Sequence, residues 1–204
     1  MHLTEPKYPQ KICYGIQKRD TMSVMAKLGI EALARSAMAL QAGDVQAALA
    51  IRNREYRQTG DPFDDSTVRT IQHILKSTPA LLADCEPQVR EPLRIAAAMM
   101  ELWGTNGIRD FVTIEGELDY RFGTDAIAHM LHSHGSFLRS IEDFRRVDIT
   151  KVKLLGGHRP DDCAACRAAD GKSFTVDTVP ELPLVSCNCK DKFGCGVIVI
   201  ACES

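Results

Sequence analysis

The sequence has no apolar run of the roughly 18 residues that a membrane-spanning helix requires, so no span is expected. Its opening stretch, "MHLTEPKYPQKICYG", contains prolines and charges but no apolar leader. A secretory signal is therefore not expected, and a cytoplasmic setting is. A basic excess is also missing. Residues 1–150 carry 18 Lys and Arg against 20 Asp and Glu, and residues 151–204 carry 7 against 7. Binding driven by phosphate charge needs a basic face or stripe, so the sequence gives no strong nucleic-acid signal. There is no G-x-S-x-G, no phosphate-binding glycine loop, no G-x-G-x-x-G and no H-E-x-x-H. No small-molecule substrate is identifiable. The one tryptophan, Trp103, and the methionines Met22, Met25, Met99 and Met100 are read as core.

What is present is helical periodicity over most of the chain. The first 20 residues, with Pro6 and Pro9, read as an irregular arm. "TMSVMAKLGIEALARSAMALQAGD" places Met22, Met25, Leu28, Ala32, Leu33 and Leu40 near a helical period, with Gly43 as its stop. Asp44 is placed to cap a second helix, "VQAALAIRNREYRQ". After the loop "TGDPFDDS", Asp65 or Ser66 would cap a third helix bearing Val68, Ile71, Ile74 and Leu75. A fourth runs from about Pro87 to Trp103, with Leu93, Ala96, Ala97, Met100 and Leu102 inward. "IRDFVTIEGELDYRFG" fits a short helix better than a strand. Thr124 or Asp125 would cap a last helix, kinked near Gly135.

Beyond Arg146 the pattern changes to β-branched alternation. "VDITKVKLLGG", "FTV" and "GVIVIA" read as strands. The fold class that follows is mainly α: an N-terminal helical bundle over 21–148, then a small C-terminal β-rich, zinc-ribbon-like module over 149–204. That module has too little apolar content to fold well without a staple.

The module also holds six of the chain's eight cysteines. Cys163 and Cys166 form C-x2-C; twenty residues later Cys187 and Cys189 form C-x-C, and Cys195 follows. A C-x2-C turn aims two thiolates at one ion, and a second pair completes the tetrahedron that zinc accepts. Cys187, Cys189 and Cys195 compete for two places. Cys202 is more distant, and His158 is a possible substitute. Asp170-Gly171 marks a hairpin turn, with "KSFTV" as the returning strand. The competing readings are buried core thiols, a redox pair and an iron–sulfur cluster. A redox pair is disfavoured by the missing strand-to-helix context, and a cluster by its different ligand spacing. Four thiolates on one Zn2+ leave about two negative charges, for which Arg167, Lys172, Lys190 and Lys192 are candidate counter-charges.

Cys163, Cys166, Asp170, Gly171, Lys172, Phe174, Val176, Asp177, Pro180, Leu182, Pro183, Cys187 and Cys189 together resemble the C-terminal cysteine motif of phage head-morphogenesis (minor head) proteins and of related microbial proteins. The resemblance covers about 45 of the 204 residues. That family usually shows His-Pro before the last pair and Arg inside it, where this chain has Val185-Ser186 and Asn188. The resemblance implies Cys187 and Cys189 as the second pair, and a role in particle assembly.

Two further clusters are candidates. His129 and His132 share a helix face, with His134 nearby, a possible metal or proton-transfer group whose plainer reading is a helix end. Glu115, Glu117 and Asp119 would share a face only on a strand and read as surface charge. The function expected first is therefore a non-enzymatic zinc-binding protein with a helical interaction domain, binding a protein partner or itself. A phage or prophage head-assembly protein, located in the virion, is the alternative. A metalloenzyme with an open zinc position is the third.

Overall fold

The computed structural model describes residues 29–56, 64–104, 122–190 and 194–202. Within these the chain is mainly helical and ends in a small antiparallel sheet, the fold class the sequence implies. The elements in order are α1 (29–41), α2 (Val45–Tyr56), α3 (Asp64–Lys76), a 3-10 turn (Ala80–Leu82), α4 (Pro87–Trp103), α5 (Thr124–Arg146), β1 (Lys151–Leu155), α6 (Ala164–Ala169), β2 (Ser173–Thr175) and β3 (Ile198–Ala201). Among the described residues no helix is long and apolar enough to cross a membrane.

The helix boundaries follow local chemistry. Gly43 adopts φ +77° where α1 ends, and the Asp44 N–H reaches back to the Ala39 carbonyl at 2.8 Å, a left-handed C-terminal cap. Asp44 then caps α2, its Oδ1 accepting the Ala47 N–H at 2.9 Å. Helix α4 starts on Pro87, whose missing N–H costs nothing in a first turn. Two expected caps are corrected. Asp65 and Ser66 lie inside the first turn of α3, and Thr124 and Asp125 lie inside that of α5, whose N-cap is Gly123. Acidic side chains suit the first turn as well as the cap, because both positions face the positive end of the helix dipole.

Helix α5 runs without interruption through Gly135. A Cβ there would lie 2.5 Å from Ile74 Cγ1 and 3.0 Å from the Thr70 carbonyl. The glycine lets α5 cross α3 closely. Around that crossing Ile71, Ile74, Met99, Ile127 and Met130 are fully buried. Arg94, itself buried on α4, donates to the Ile74 and Ser77 carbonyls and to Thr78 Oγ1, so it satisfies the C-terminal end of α3. The arm over 1–20, the stretch "IRDFVTIEGELDYRFG" up to Arg121, and Met22, Met25 and Leu28 lie outside the described residues.

In the sheet, β1 is central, with β2 and β3 antiparallel on either side. Val152 and Leu154 are fully buried while Lys151 and Lys153 face outward, the period-2 pattern of a half-buried strand. The same apolar cluster that fills the helices continues through Val152, Leu154, Val176, Leu182 and Val197. His134 of α5 bridges to the C-terminal region, its Nδ1 lying 2.9 Å from the Leu182 carbonyl.

Candidate metal centre

Three loops bring the sulfurs together. The first leaves β1 at Gly156 and Gly157 and runs to Cys163, the residue preceding α6. Cys166 lies within α6 and is fully buried. Here the structure corrects one expectation: the C-x2-C pair stands at the start of a short helix that follows a strand, so the strand-to-helix context whose absence disfavours a redox pair is in fact present. The Asp170-Gly171 turn after α6 does lead into β2, with Gly171 at φ +73°. The second loop, after Pro180, carries Cys187 and Cys189. The third carries Cys195 just before β3.

The thiol sulfurs of Cys163, Cys166, Cys187 and Cys189 all lie within 4.8 Å of one another, close enough to hold a metal ion. Cys166 is the hub, 3.6 Å from Cys187 Sγ and 3.7 Å from Cys189 Sγ. With zinc–sulfur bonds of about 2.3 Å, the edge of a tetrahedral thiolate site is about 3.8 Å, so little movement would close it. None of these cysteines is in a disulfide.

Backbone amides face the sulfurs. The Asn188 N–H donates to Cys163 Sγ at 3.3 Å, and the Cys163 N–H donates to Cys189 Sγ at 3.4 Å. Such donors favour thiolate over thiol. Burial opposes ionisation of Cys163, yet N–H bonds from Asn188 and Cys166 bring its thiol down to about 7. Cys166 behaves oppositely: its contacts with Cys187 and Cys195, with burial added, push its thiol well up. In Cys189 burial prevails, and the thiol is raised. Sulfurs this close cannot all ionise without a cation among them.

The positive charge beside the cluster comes from an unexpected residue. Arg159 binds the fully buried Asp162, Nε at 3.1 Å and Nη2 at 2.9 Å from Oδ1, while its backbone N–H donates to Oδ2 at 2.8 Å. Asp162 Oδ1 lies 3.7 Å from Cys189 Sγ, and Arg159 Nη2 also donates to the Gly194 carbonyl at 2.7 Å. One guanidinium thus ties the first cysteine loop to the third. Burial works against the Asp162 carboxylate, but the Arg159 bonds hold it below the usual carboxylate range. The local signal was the i, i+3 spacing of Arg159 and Asp162 next to Cys163, an arrangement that only tertiary burial makes consequential. Of the expected counter-charges, Lys172 and Lys190 are exposed, Arg167 donates to the Asp162 carbonyl, and Lys192 lies outside the described residues.

The remaining candidates do not join the cluster. His158 is exposed and pairs with Asp170 at 3.4 Å. Cys202 follows β3, its N–H bonded to the Lys151 carbonyl at 3.0 Å. The three histidines of α5 do not converge on one ion. His132 Nε2 pairs with Glu101 at 2.8 Å, and His134 is buried against Leu182. Glu115, Glu117 and Asp119 lie outside the described residues. No family model, curated protein or solved structure matches the chain.

Proposed function

We propose that this is a non-enzymatic protein in which a helical domain supports a C-terminal module closed by one structural Zn2+ on Cys163, Cys166, Cys187 and Cys189. The observation that carries the reading is the convergence of these four sulfurs from two loops, three of them buried. An all-thiolate donor set with tetrahedral spacing suits zinc better than hard cations. Four thiolates fill the coordination of zinc and leave no place for water or substrate, which supports a structural role over a hydrolytic one. The test is native mass spectrometry of protein purified without chelator. One zinc per chain, lost on chelation, is expected. A chain that binds no zinc, or one that carries an iron–sulfur chromophore, contradicts the reading.

A second reading, particle assembly, rests on the resemblance to phage head-morphogenesis proteins. Co-purification with a portal or capsid protein is its expected outcome, and a monodisperse protein that captures neither counts against it.

A further inference from the structure

A fifth thiol is built into the cluster. Cys195 Sγ lies 3.5 Å from Cys166 Sγ, closer than either Cys187 or Cys189 does. It also contacts the Cys187 thiol, and it accepts the backbone N–H groups of Val197 and Leu184. The turn that presents it is shaped for the purpose. Gly194 sits at φ +63°, where a Cβ would come within 2.9 Å of Met130. At Gly196 a Cβ would lie 2.7 Å from Arg159 Nη2, the group that holds the Gly194 carbonyl. Cys85 provides an internal contrast: it is a buried thiol packed in the apolar core, its Sγ 4.0 Å from the Glu86 carbonyl, and burial raises its thiol. Cys85 is placed as a small apolar side chain, whereas Cys195 is placed as a ligand.

Zinc accepts four thiolates, and five are offered. Cys163 alone of the five is half-buried; Cys166, Cys187, Cys189 and Cys195 are all buried. We infer that Cys195 is a metal ligand that exchanges with Cys163, so that the site closes on Cys166, Cys187 and Cys189 with either thiol as the fourth. The inference rests on the proposed zinc site. No bond other than zinc–sulfur forms or breaks: one thiolate leaves the ion as the other arrives, the departing sulfur taking a proton from water and the arriving thiol giving one up. The consequence is a site that keeps its metal while exposing one reactive thiol, Cys163, at the surface.

The test compares zinc stoichiometry and affinity, by competition with a chromophoric chelator, in the full chain and in Cys163→Ser, Cys195→Ser, the double variant and Cys166→Ser. Exchange predicts that each of the first two singles keeps one zinc near wild-type affinity. The double variant and Cys166→Ser should each lose on the order of 100-fold or more, beyond what loss of a supporting hydrogen bond would cost. Cobalt-substituted Cys163→Ser should keep an all-thiolate charge-transfer spectrum. If Cys163→Ser loses zinc as severely as Cys166→Ser and adding Cys195→Ser changes nothing, exchange is wrong and the fixed four-thiol site stands. If Cys195→Ser alone abolishes binding, exchange is equally wrong. If the wild-type chain binds no zinc, the underlying site itself fails. A second readout needs no variant: iodoacetamide on the zinc-loaded wild-type chain should modify Cys163 while zinc stays bound. Protection of Cys163 until the metal is released overturns the proposal.

Discussion

The helical region and the cysteine-rich region solve the same problem with different materials. In the former, Ile71, Ile74, Met99, Ile127 and Met130 are removed from water completely. In the latter, five cysteines occupy the place such side chains would fill, with the buried Asp162 beside them. Burying large apolar side chains stabilises the fold without outside help. Clustered thiolates, which repel one another, do so only when a cation neutralises them. The two regions share one continuous apolar cluster, so the difference lies in what each adds to it: further hydrocarbon in one, a metal-ready cage in the other.

The comparison is broken most sharply at Cys166. Cys166→Ser removes the hub sulfur and should abolish stoichiometric zinc binding, leaving the far-UV helical signal intact; inductively coupled plasma analysis and circular dichroism read the two effects. Ile74→Ala is its counterpart in the helices. It should cost about 2–5 kcal/mol of global stability in denaturant titration while zinc content stays at one per chain. Arg159→Ala should lower zinc affinity by roughly 10–100-fold, since it leaves the buried Asp162 unpaired beside Cys189. Asp44→Ala should cost only about 1 kcal/mol, the loss of one helix cap, with no change in metal affinity.

A pH titration sharpens the contrast further. Burial lowers the pKa of His134, and its bond to Leu182 offsets this only in part. A depressed histidine pKa means the unfolded chain binds the proton more readily. Stability at this site is therefore full above the unfolded pKa near 6.5 and declines as pH falls below it, by at most about 1.4 kcal/mol per pH unit. His134→Gln should flatten that slope between pH 7 and 5 in urea denaturation.

The sequence made legible whatever depends on local spacing. The Asp44 cap, the Pro87 start, the alternation of Val152 and Leu154 and the two cysteine pairs are all short-range patterns, and they appear where expected. The close approach of α3 at Gly135 is not legible in the sequence, because a glycine in a helix looks alike whether it bends the chain or admits a neighbour. The short helix α6 is not legible in the sequence because its six residues are too few to show a period. Arg159 was missed for a related reason. Its three-residue spacing to Asp162 is common on surfaces, and its role comes from Gly194 arriving 35 residues later. Which two of Cys187, Cys189 and Cys195 join the first pair depends on three-dimensional geometry that no spacing encodes.

The central claim is that metal holds the C-terminal module while apolar burial holds the helices. Amide hydrogen exchange, resolved by segment and measured with and without a zinc chelator, tests it directly. Lys151–Leu155, Ala164–Ala169 and Ile198–Ala201 should lose protection on chelation while α3, α4 and α5 keep theirs. Unchanged protection in all segments, or its loss from both regions together, would contradict it.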